Sequence, residues 1–575
     1  MNNVFERWLA RDPDPESRSE LQGLIDAVDE DELARRFDSR LEFGTAGLRG
    51  VVGAGPGMMN RLVIRETSAG LGSYLLREVA DAAQRGVVVA YDGRPDSCQF
   101  ARDAASVFAA LGITVHFTEA VAATPVAAFG VVQLGAAAGV VVTASHNPPQ
   151  YNGYKVYWEN GAQIIPPHDV GIASAIDTAA QSDIPWLDFD EATVAGRINI
   201  LGADFYRSYV DTIQGNALFS GDRSEAPIGI AYTAMHGVGA EIAETLLSEA
   251  GFDRVYSVAS QREPDGRFPT VNFPNPEEPG AMDAVLALAA EHQATLACAN
   301  DPDADRLAVA VRTQSGDYQM LTGDMLGVLL ANYLLHKAHA FVPIVCTTIV
   351  SSSMLQSIAE AAGAVYYETL TGFKWLTNVA LDHEDEQHRF LFAYEEALGY
   401  ACGRQVRDKD GLSALLAFAQ MTQALSREGM TVLDQLESLY RQHGLFLTGQ
   451  RSIALTPGAR PIGDLLRESP PAQIADSPVV QIDDLDSGSR RHADGGTEDI
   501  DFPQSDVLIY RLQNKARVIV RPSGTEPKVK CYYEVVEDVA GDAPFGAAMQ
   551  QAQSSLANLA EAHQESVAAL LDGRA

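Results

Sequence analysis

Three aspartates at alternate positions, Asp301, Asp303 and Asp305 in the run DPDADR, can aim three carboxylates at one point. Hard oxygen ligands with no Cys or His beside them suit Mg2+. An EF-hand is disfavoured, because Arg306 and Arg312 stand where its sixth and twelfth residues need Gly and Glu. A solvated acidic loop would look similar, but the tight strand-loop-strand setting and the following Arg306 point to a metal. Ser145 lies in TASHNP (Thr143–Pro148), next to His146 and after an apolar run. A serine hydroxyl becomes a nucleophile or phosphoryl carrier once a base or metal activates it. Taken alone, this segment fits a helix N-cap or an Asx turn better.

Three further segments carry polar chemistry. Phe390–Tyr400 (FLFAYEEALGY) runs into the pair Glu395 and Glu396, which can accept hydrogen bonds from sugar hydroxyls. The first turn of a helix, where the dipole favours acids, explains that pair more simply. Arg521–Lys530 (RPSGTEPKVK) sets a guanidinium fork beside Ser523, Gly524 and Thr525, whose hydroxyls and N–H groups make a phosphate cradle. Phe43–Gly50 (FGTAGLRG) places glycines near Arg49, where backbone can approach an anion. That segment lacks GxGxxG, and no GxxxxGK[ST] occurs in the chain, which disfavours a dinucleotide enzyme or a P-loop ATPase.

The elements around these loops alternate. Val87–Tyr91, Thr114–Phe117, Val140–Thr143, Thr295–Ala299, Leu307–Val311 and Phe390–Tyr394 read as short buried strands. Asp96–Leu111, Ala281–His292, Gly323–His336 and Gly411–Arg427 read as helices. The alternation predicts an α/β architecture with mostly parallel sheets. Domain boundaries are expected at Ile198–Asp204, Gln314–Tyr318 and Arg441–Gln450, and the acidic, glycine-rich Asp483–Phe502 is expected to be a surface loop.

The chain has 575 residues, enough for three to five domains. It carries 77 Asp plus Glu against 42 Lys plus Arg, net −35, a field that repels nucleic acid and anionic membrane surfaces. Most of the seven lysines, Lys155, Lys374, Lys409, Lys528 and Lys530 among them, fall in or beside motif segments, as an anion-binding cleft in an acidic protein would need. Five scattered cysteines without a CxxC pair argue against disulfides or zinc. Met1–Arg18 is polar and no apolar run approaches the length of a bilayer span, so a cytoplasmic protein is expected.

TASHNP, DPDADR and RPSGTEP in this order resemble the α-D-phosphohexomutase superfamily of phosphoglucomutases and phosphomannomutases, from about Leu41 to Val536. Thr371–Trp375 (TGFKW), Val406–Gly411 (VRDKDG) and the His236-Gly237 turn extend the match. FGTAGLRG, TGFKW and EEALGY look most like the long subgroup of phosphoglucomutase-2 and phosphopentomutase-type enzymes. The resemblance implies an α/β fold: three related mixed α/β domains plus a smaller C-terminal α+β domain around a central cleft. The expected division is a helical N-terminal extension (1–40), domain 1 with the phosphoserine loop (41–203), domain 2 with the metal loop (204–315), domain 3 with the sugar loop (316–445) and domain 4 with the phosphate loop (446–575).

The resemblance further implies that Ser145 is the phosphoserine, and that Asp301, Asp303 and Asp305 hold Mg2+ with the Ser145 phosphoryl group as a further ligand. Arg521, Ser523, Gly524 and Thr525, helped by Lys530, would grip the substrate's non-reacting phosphate. Glu395 and Glu396 would meet sugar hydroxyls. Arg49, Lys155, Arg306, Lys374 and Lys409 would complete the charged lining, with Lys374 and Lys409 on the sugar, and His146 or Lys155 would assist proton transfer. The implied enzyme interconverts glucose 1-phosphate and glucose 6-phosphate through a bound bisphosphate, with glucose 1,6-bisphosphate as activator. It would be a monomer or small homo-oligomer acting on small sugar phosphates. Many glucose- and mannose-specific members carry serine two residues after the first glutamate of the sugar turn; here that residue is Ala397, so pentose or mannose phosphates are rival substrates. A haloacid-dehalogenase-like phosphatase would use Asp301 as nucleophile. A non-catalytic sugar-phosphate binder would not need Ser145 together with three aspartates.

Overall fold

The computed structural model of this chain describes residues 2–44, 47–221, 227–455, 460–522, 528–539 and 544–571. Four sheets carry these residues. The first holds β1 (Leu48–Val51), β2 (Val87–Tyr91), β3 (Val115–Thr118), β4 (Ala138–Val142), β5 (Tyr151–Trp158) and β6 (Ile198–Leu201), in the spatial order β1-β5-β4-β2-β3-β6. β2 and β4 are apolar and buried throughout, as parallel strands covered on both faces must be. The second sheet holds β7 (Ile230–Thr233), β8 (Val255–Ser257), β9 (Leu296–Asn300), β10 (Leu307–Arg312) and β11 (Tyr318–Met320), in the order β11-β10-β9-β7-β8. The third holds β12 (Val342–Thr348), β13 (Val365–Thr369), β14 (His388–Glu395) and β15 (Gly399–Cys402), in the order β13-β12-β14-β15.

These three sheets share one plan. Each has a central first strand (β2, β7, β12), a second strand parallel on one side (β3, β8, β13) and a third parallel on the other (β4, β9, β14). The third strand then returns as an antiparallel hairpin (β5, β10, β15). The hairpin turns lie at the carboxyl ends of parallel strands, where open α/β sheets present ligands. They are the Ser145 loop, the DPDADR loop and the Glu395–Glu396 turn. Each sheet therefore has antiparallel strands at one margin and a parallel strand, β6, β8 or β13, at the other.

The fourth sheet is antiparallel throughout. It holds β16 (Leu445–Ala454), β17 (Gln473–Ile474), β18 (Ser477–Asp484), β19 (Ser489–His492), β20 (Thr497–Asp499), β21 (Leu508–Leu512), β22 (Arg517–Pro522) and β23 (Lys528–Glu537). The long helix Phe545–Leu571 covers β16 and β23. One continuous apolar core links Val88 and Val126 of the first unit to Leu296, Phe418, Tyr510 and Val520 of the others. At the other end, helices Asn2–Arg11, Pro15–Ala27 and Glu30–Phe37 dock on the first unit through buried Trp8, Leu21 and Leu33.

One sequence expectation changes. Asp483–Phe502 is not a loop but contains the end of β18 and the strands β19 and β20. Cross-strand ion pairs hold these polar strands: Arg490 faces Asp483 on one side and Glu498 on the other, at 2.6 and 3.0 Å. The boundary expected at 315 lies in the turn between β10 and β11, which pair antiparallel.

Candidate active site

The Ser145 loop is built from within the first sheet. Asp92, at the end of β2, accepts hydrogen bonds from Thr143 Oγ1 and Ser97 Oγ, each at 2.6 Å. Thr143 Oγ1 in turn accepts from the Ser145 N–H at 2.9 Å. Arg94 spreads its buried guanidinium under the loop and donates to the carbonyls of Ser145, Asn147, Pro148 and Tyr151 at 2.6–2.8 Å. Ser145 itself sits at φ 50°, a left-handed conformation that costs a non-glycine residue about 1–3 kcal/mol and holds only when its surroundings over-determine it.

The DPDADR loop comes from the second sheet and is packed by glycines. A Cβ on Gly237 would lie 2.4 Å from Pro302, and one on Gly411 would lie 2.2 Å from the Arg306 carbonyl. Thr124 N donates to the Asp303 carbonyl at 2.9 Å, Gly411 N to Ala304 at 3.2 Å, and Leu307 N to Leu398 at 3.0 Å. The loop is thereby tied to the first and third units as well as its own.

Ser145 Oγ donates to Asp301 Oδ2 at 2.8 Å and lies 3.1 Å from His146 Nδ1. Lys155, on β5, donates to Asp303 Oδ2 at 2.7 Å and Asp305 Oδ2 at 2.9 Å. Thr124 Oγ1 adds 2.6 Å to Asp303, and Lys409 Nζ stands 3.3 Å from Asp305 Oδ2. The three aspartates are fully buried, with one carboxylate oxygen of each within 4.8 Å of the others. Among the described residues, Asp303 Oδ1 and Asp305 Oδ1 are buried without a hydrogen-bond donor. Two orphaned oxygens and an all-oxygen donor set fit a hard divalent cation.

The charges follow from this geometry. Burial, then the neighbouring Asp303 and Asp305, push Asp301 well above the carboxylate range. Burial would raise Asp303 too, but the Lys155 ammonium and its hydrogen bond hold it low. Burial works against the Lys155 charge, yet Asp303 and Asp305 outweigh it and raise Lys155. Lys155 is thus a fixed cation. Burial, with Arg306 and Arg49, lowers His146 well below the usual imidazole value, so it is neutral and its Nδ1 can exchange a proton with Ser145.

The remaining expected residues separate into groups. Arg49 donates to Asn147 Oδ1 at 3.1 Å on the serine loop, and Arg306 stands 3.7 Å from Glu277. Glu395 accepts from Gly372 N at 2.8 Å and faces Lys409 and Arg306. Glu396 accepts from Ser351 Oγ at 3.1 Å, and burial pushes its carboxyl up to about 7. Lys374 does not join the metal loop: its ammonium lies over the Trp375 ring at 5.0 Å, and burial lowers it to about 8. Arg521 and Lys530 are register partners on β22 and β23, and Lys530 faces Glu396 and Glu277. Ser523, Gly524 and Thr525 lie outside the described residues. A cavity of about 550 Å3 opens beside the turn, lined by Glu277, Glu396, Leu398, Thr448 and Tyr532.

Sequence reasoning missed Asp92 and Arg94, whose signal was YDGR directly after a buried strand, and Thr124, which carries no local signal. It also missed Tyr157, Gln163 and Asp408, which meet only through the fold.

Comparison with known proteins matches four family models along the chain. The phosphoglucomutase/phosphomannomutase alpha/beta/alpha domains I, II and III cover residues 40–183, 207–316 and 322–443, and the C-terminal domain covers 491–543. The chain is 37% identical to a probable phosphoribomutase of Schizosaccharomyces pombe, over 92% of this chain and 93% of that one. It is 38% identical to a probable phosphomannomutase of Haemophilus influenzae, over 83% and 93%. A putative phosphomannomutase from Thermus thermophilus shares the fold, with a TM-score of 0.67 at 22% identity over 92% of this chain and 99% of that one.

Proposed function

This chain belongs to the phosphoglucomutase/phosphomannomutase family, and from that membership we propose that it is a Mg2+-dependent phosphosugar mutase carrying its phosphoryl group on Ser145. The observation that carries this reading is the Ser145 hydroxyl, 2.8 Å from Asp301 in a triad whose Asp303 and Asp305 each leave one oxygen without a donor. Asp301, Asp303 and Asp305 would hold the cation, which would supply Lewis-acid polarisation of the phosphoryl oxygens.

In the first half-reaction a sugar hydroxyl oxygen attacks the phosphorus on Ser145. The P–Oγ bond breaks, the sugar hydroxyl loses its proton, and Ser145 Oγ gains one. The product is a sugar bisphosphate. In the second half-reaction Ser145 Oγ attacks the other phosphate of that bisphosphate, and the sugar oxygen released there is protonated. Neutral His146, 3.1 Å from Ser145 Oγ, is placed to return and remove the serine proton. Lys155, Lys409 and Arg306 offset charge spread over the phosphoryl oxygens. Arg521 and Lys530 would hold the phosphate at the far end of the sugar, and Glu395 and Glu396 its hydroxyls.

Ribose 1-phosphate is the preferred substrate in this reading. The fission-yeast relative named as a phosphoribomutase supports it, as does Ala397, which offers the turn no hydroxyl. Glucose 1-phosphate is the second reading, on the resemblance of TASHNP, DPDADR and RPSGTEP to the phosphoglucomutases. Assays of ribose, deoxyribose, glucose and mannose 1-phosphates, each with a trace of its bisphosphate, test the proposal. Ribose 1-phosphate should exceed glucose 1-phosphate in kcat/KM by about tenfold, or about 1.4 kcal/mol. The reverse order would make the chain a glucose enzyme, and no turnover of any would overturn the mutase reading.

A further inference from the structure

Lys409 reaches the metal loop from the third unit, across a domain boundary. Its position is set by its two neighbours. Asp408 is buried, and its Oδ2 accepts from Tyr157 OH at 2.7 Å and Gln163 Nε2 at 2.9 Å, both from the first unit. Its Oδ1 accepts the Lys409 N–H at 2.7 Å and lies 3.4 Å from Lys409 Nζ. Asp410 is also buried and accepts from Tyr209 OH at 2.9 Å, while capping the helix Gly411–Arg427. The lysine is thus held between two aspartates, each anchored by a buried phenol from outside the third unit.

Strand geometry makes Tyr157 and Lys155 partners in one task. They are two residues apart on β5, so they share a face of the sheet. Lys155 touches Asp303 and Asp305 directly, whereas Tyr157 touches Asp408 and so reaches Asp305 through Lys409. The two ammonium groups both engage Asp305 Oδ2 and leave Asp305 Oδ1 without a donor.

We propose that Tyr157 and Asp408 are positioning residues that fix Lys409 on Asp305, so that one strand of the first unit sets both cations of the metal loop. This rests on the mutase reading for its kinetic consequences, but not for its binding test. A merely structural Tyr157–Asp408 contact would act regardless of whether Lys409 is present. A double-mutant cycle therefore separates the two roles.

Wild type, Tyr157→Phe, Lys409→Ala and the double variant are compared for turnover and for Mn2+ binding followed by electron paramagnetic resonance. Tyr157→Phe should lower kcat about tenfold with KM within about twofold, and change kcat less than about twofold in the Lys409→Ala background. It should shift the Mn2+ dissociation constant about threefold, in the same direction as Lys409→Ala, and add nothing once Lys409 is gone. Equal effects of Tyr157→Phe in both backgrounds, or none in wild type, would overturn the proposal. Gln163→Ala, which removes the other donor to Asp408, repeats the cycle if Tyr157→Phe fails to fold. A wild type inactive on every sugar phosphate would sink the mutase reading and leave the Mn2+ cycle to judge this inference.

Discussion

Arg94 reaches Ser145 through the backbone: its Nη2 donates to the Ser145 carbonyl at 2.8 Å, and the same guanidinium binds three more carbonyls of the loop. Arg94 therefore holds the carbonyl side of the left-handed serine, with a planar fork that no other residue reproduces. Arg94→Lys should lower kcat by about 100-fold or more and destabilise the fold by about 3 kcal/mol, because several carbonyls lose their donor. Steady-state kinetics and urea unfolding check both. Activity within threefold of wild type would show that the loop holds its shape unaided.

Metal dependence is expected to run through Asp303. Excess chelator should abolish turnover and Mg2+ should restore it. Asp303→Asn removes an anion and should raise the Mg2+ needed for half-maximal activity about tenfold or more. Full activity in excess chelator would contradict the assignment of the triad.

Much of this site was legible as loops rather than as contacts. Val87–Tyr91 and Gly411–Arg427 were read at their observed limits, because one is an uninterrupted apolar run and the other follows Asp410, a helix cap. The triad was legible because its three carboxylates sit within five consecutive residues. Lys409 was placed with the sugar residues, yet it also contacts Asp305, a pairing that depends on Tyr157 and Asp408 meeting 251 positions apart. The strands β19 and β20 were hidden by composition: their pairing is carried by Arg490 with Asp483 and Glu498, which read as a solvated acidic stretch.

Glu396 should make stability pH-dependent. Burial raises its carboxyl from 4.5 to about 7, so the folded state holds this proton more tightly than the unfolded chain. Its contribution is fully present below pH 4.5 and is lost as pH rises through 7. Glu396→Gln keeps an acceptor for Ser351 and removes the titration. The variant should match wild type near pH 4.5 and be more stable at pH 8 by about 3 kcal/mol, read from urea midpoints. An equal difference at both pH values would mean that Glu396 does not titrate in this window.

Arg521 should act on binding more than on chemistry. It lies on β22 opposite Lys530, the other cation expected at the substrate's non-reacting phosphate. Arg521→Lys keeps the charge but loses the bidentate fork, so KM should rise about tenfold with kcat changed less than about threefold. A large fall in kcat at unchanged KM would place Arg521 at the transferring phosphoryl group instead.

The most direct test is the location of the phosphate. Protein exposed to a sugar bisphosphate is digested, and the peptide spanning Thr143–Lys155 is sequenced by mass spectrometry. One phosphate is expected on Ser145, and none in Ser145→Ala, which should fold normally and lose nearly all turnover. An active enzyme whose Ser145 peptide never carries phosphate, or whose phosphate is found on Asp301, would contradict it.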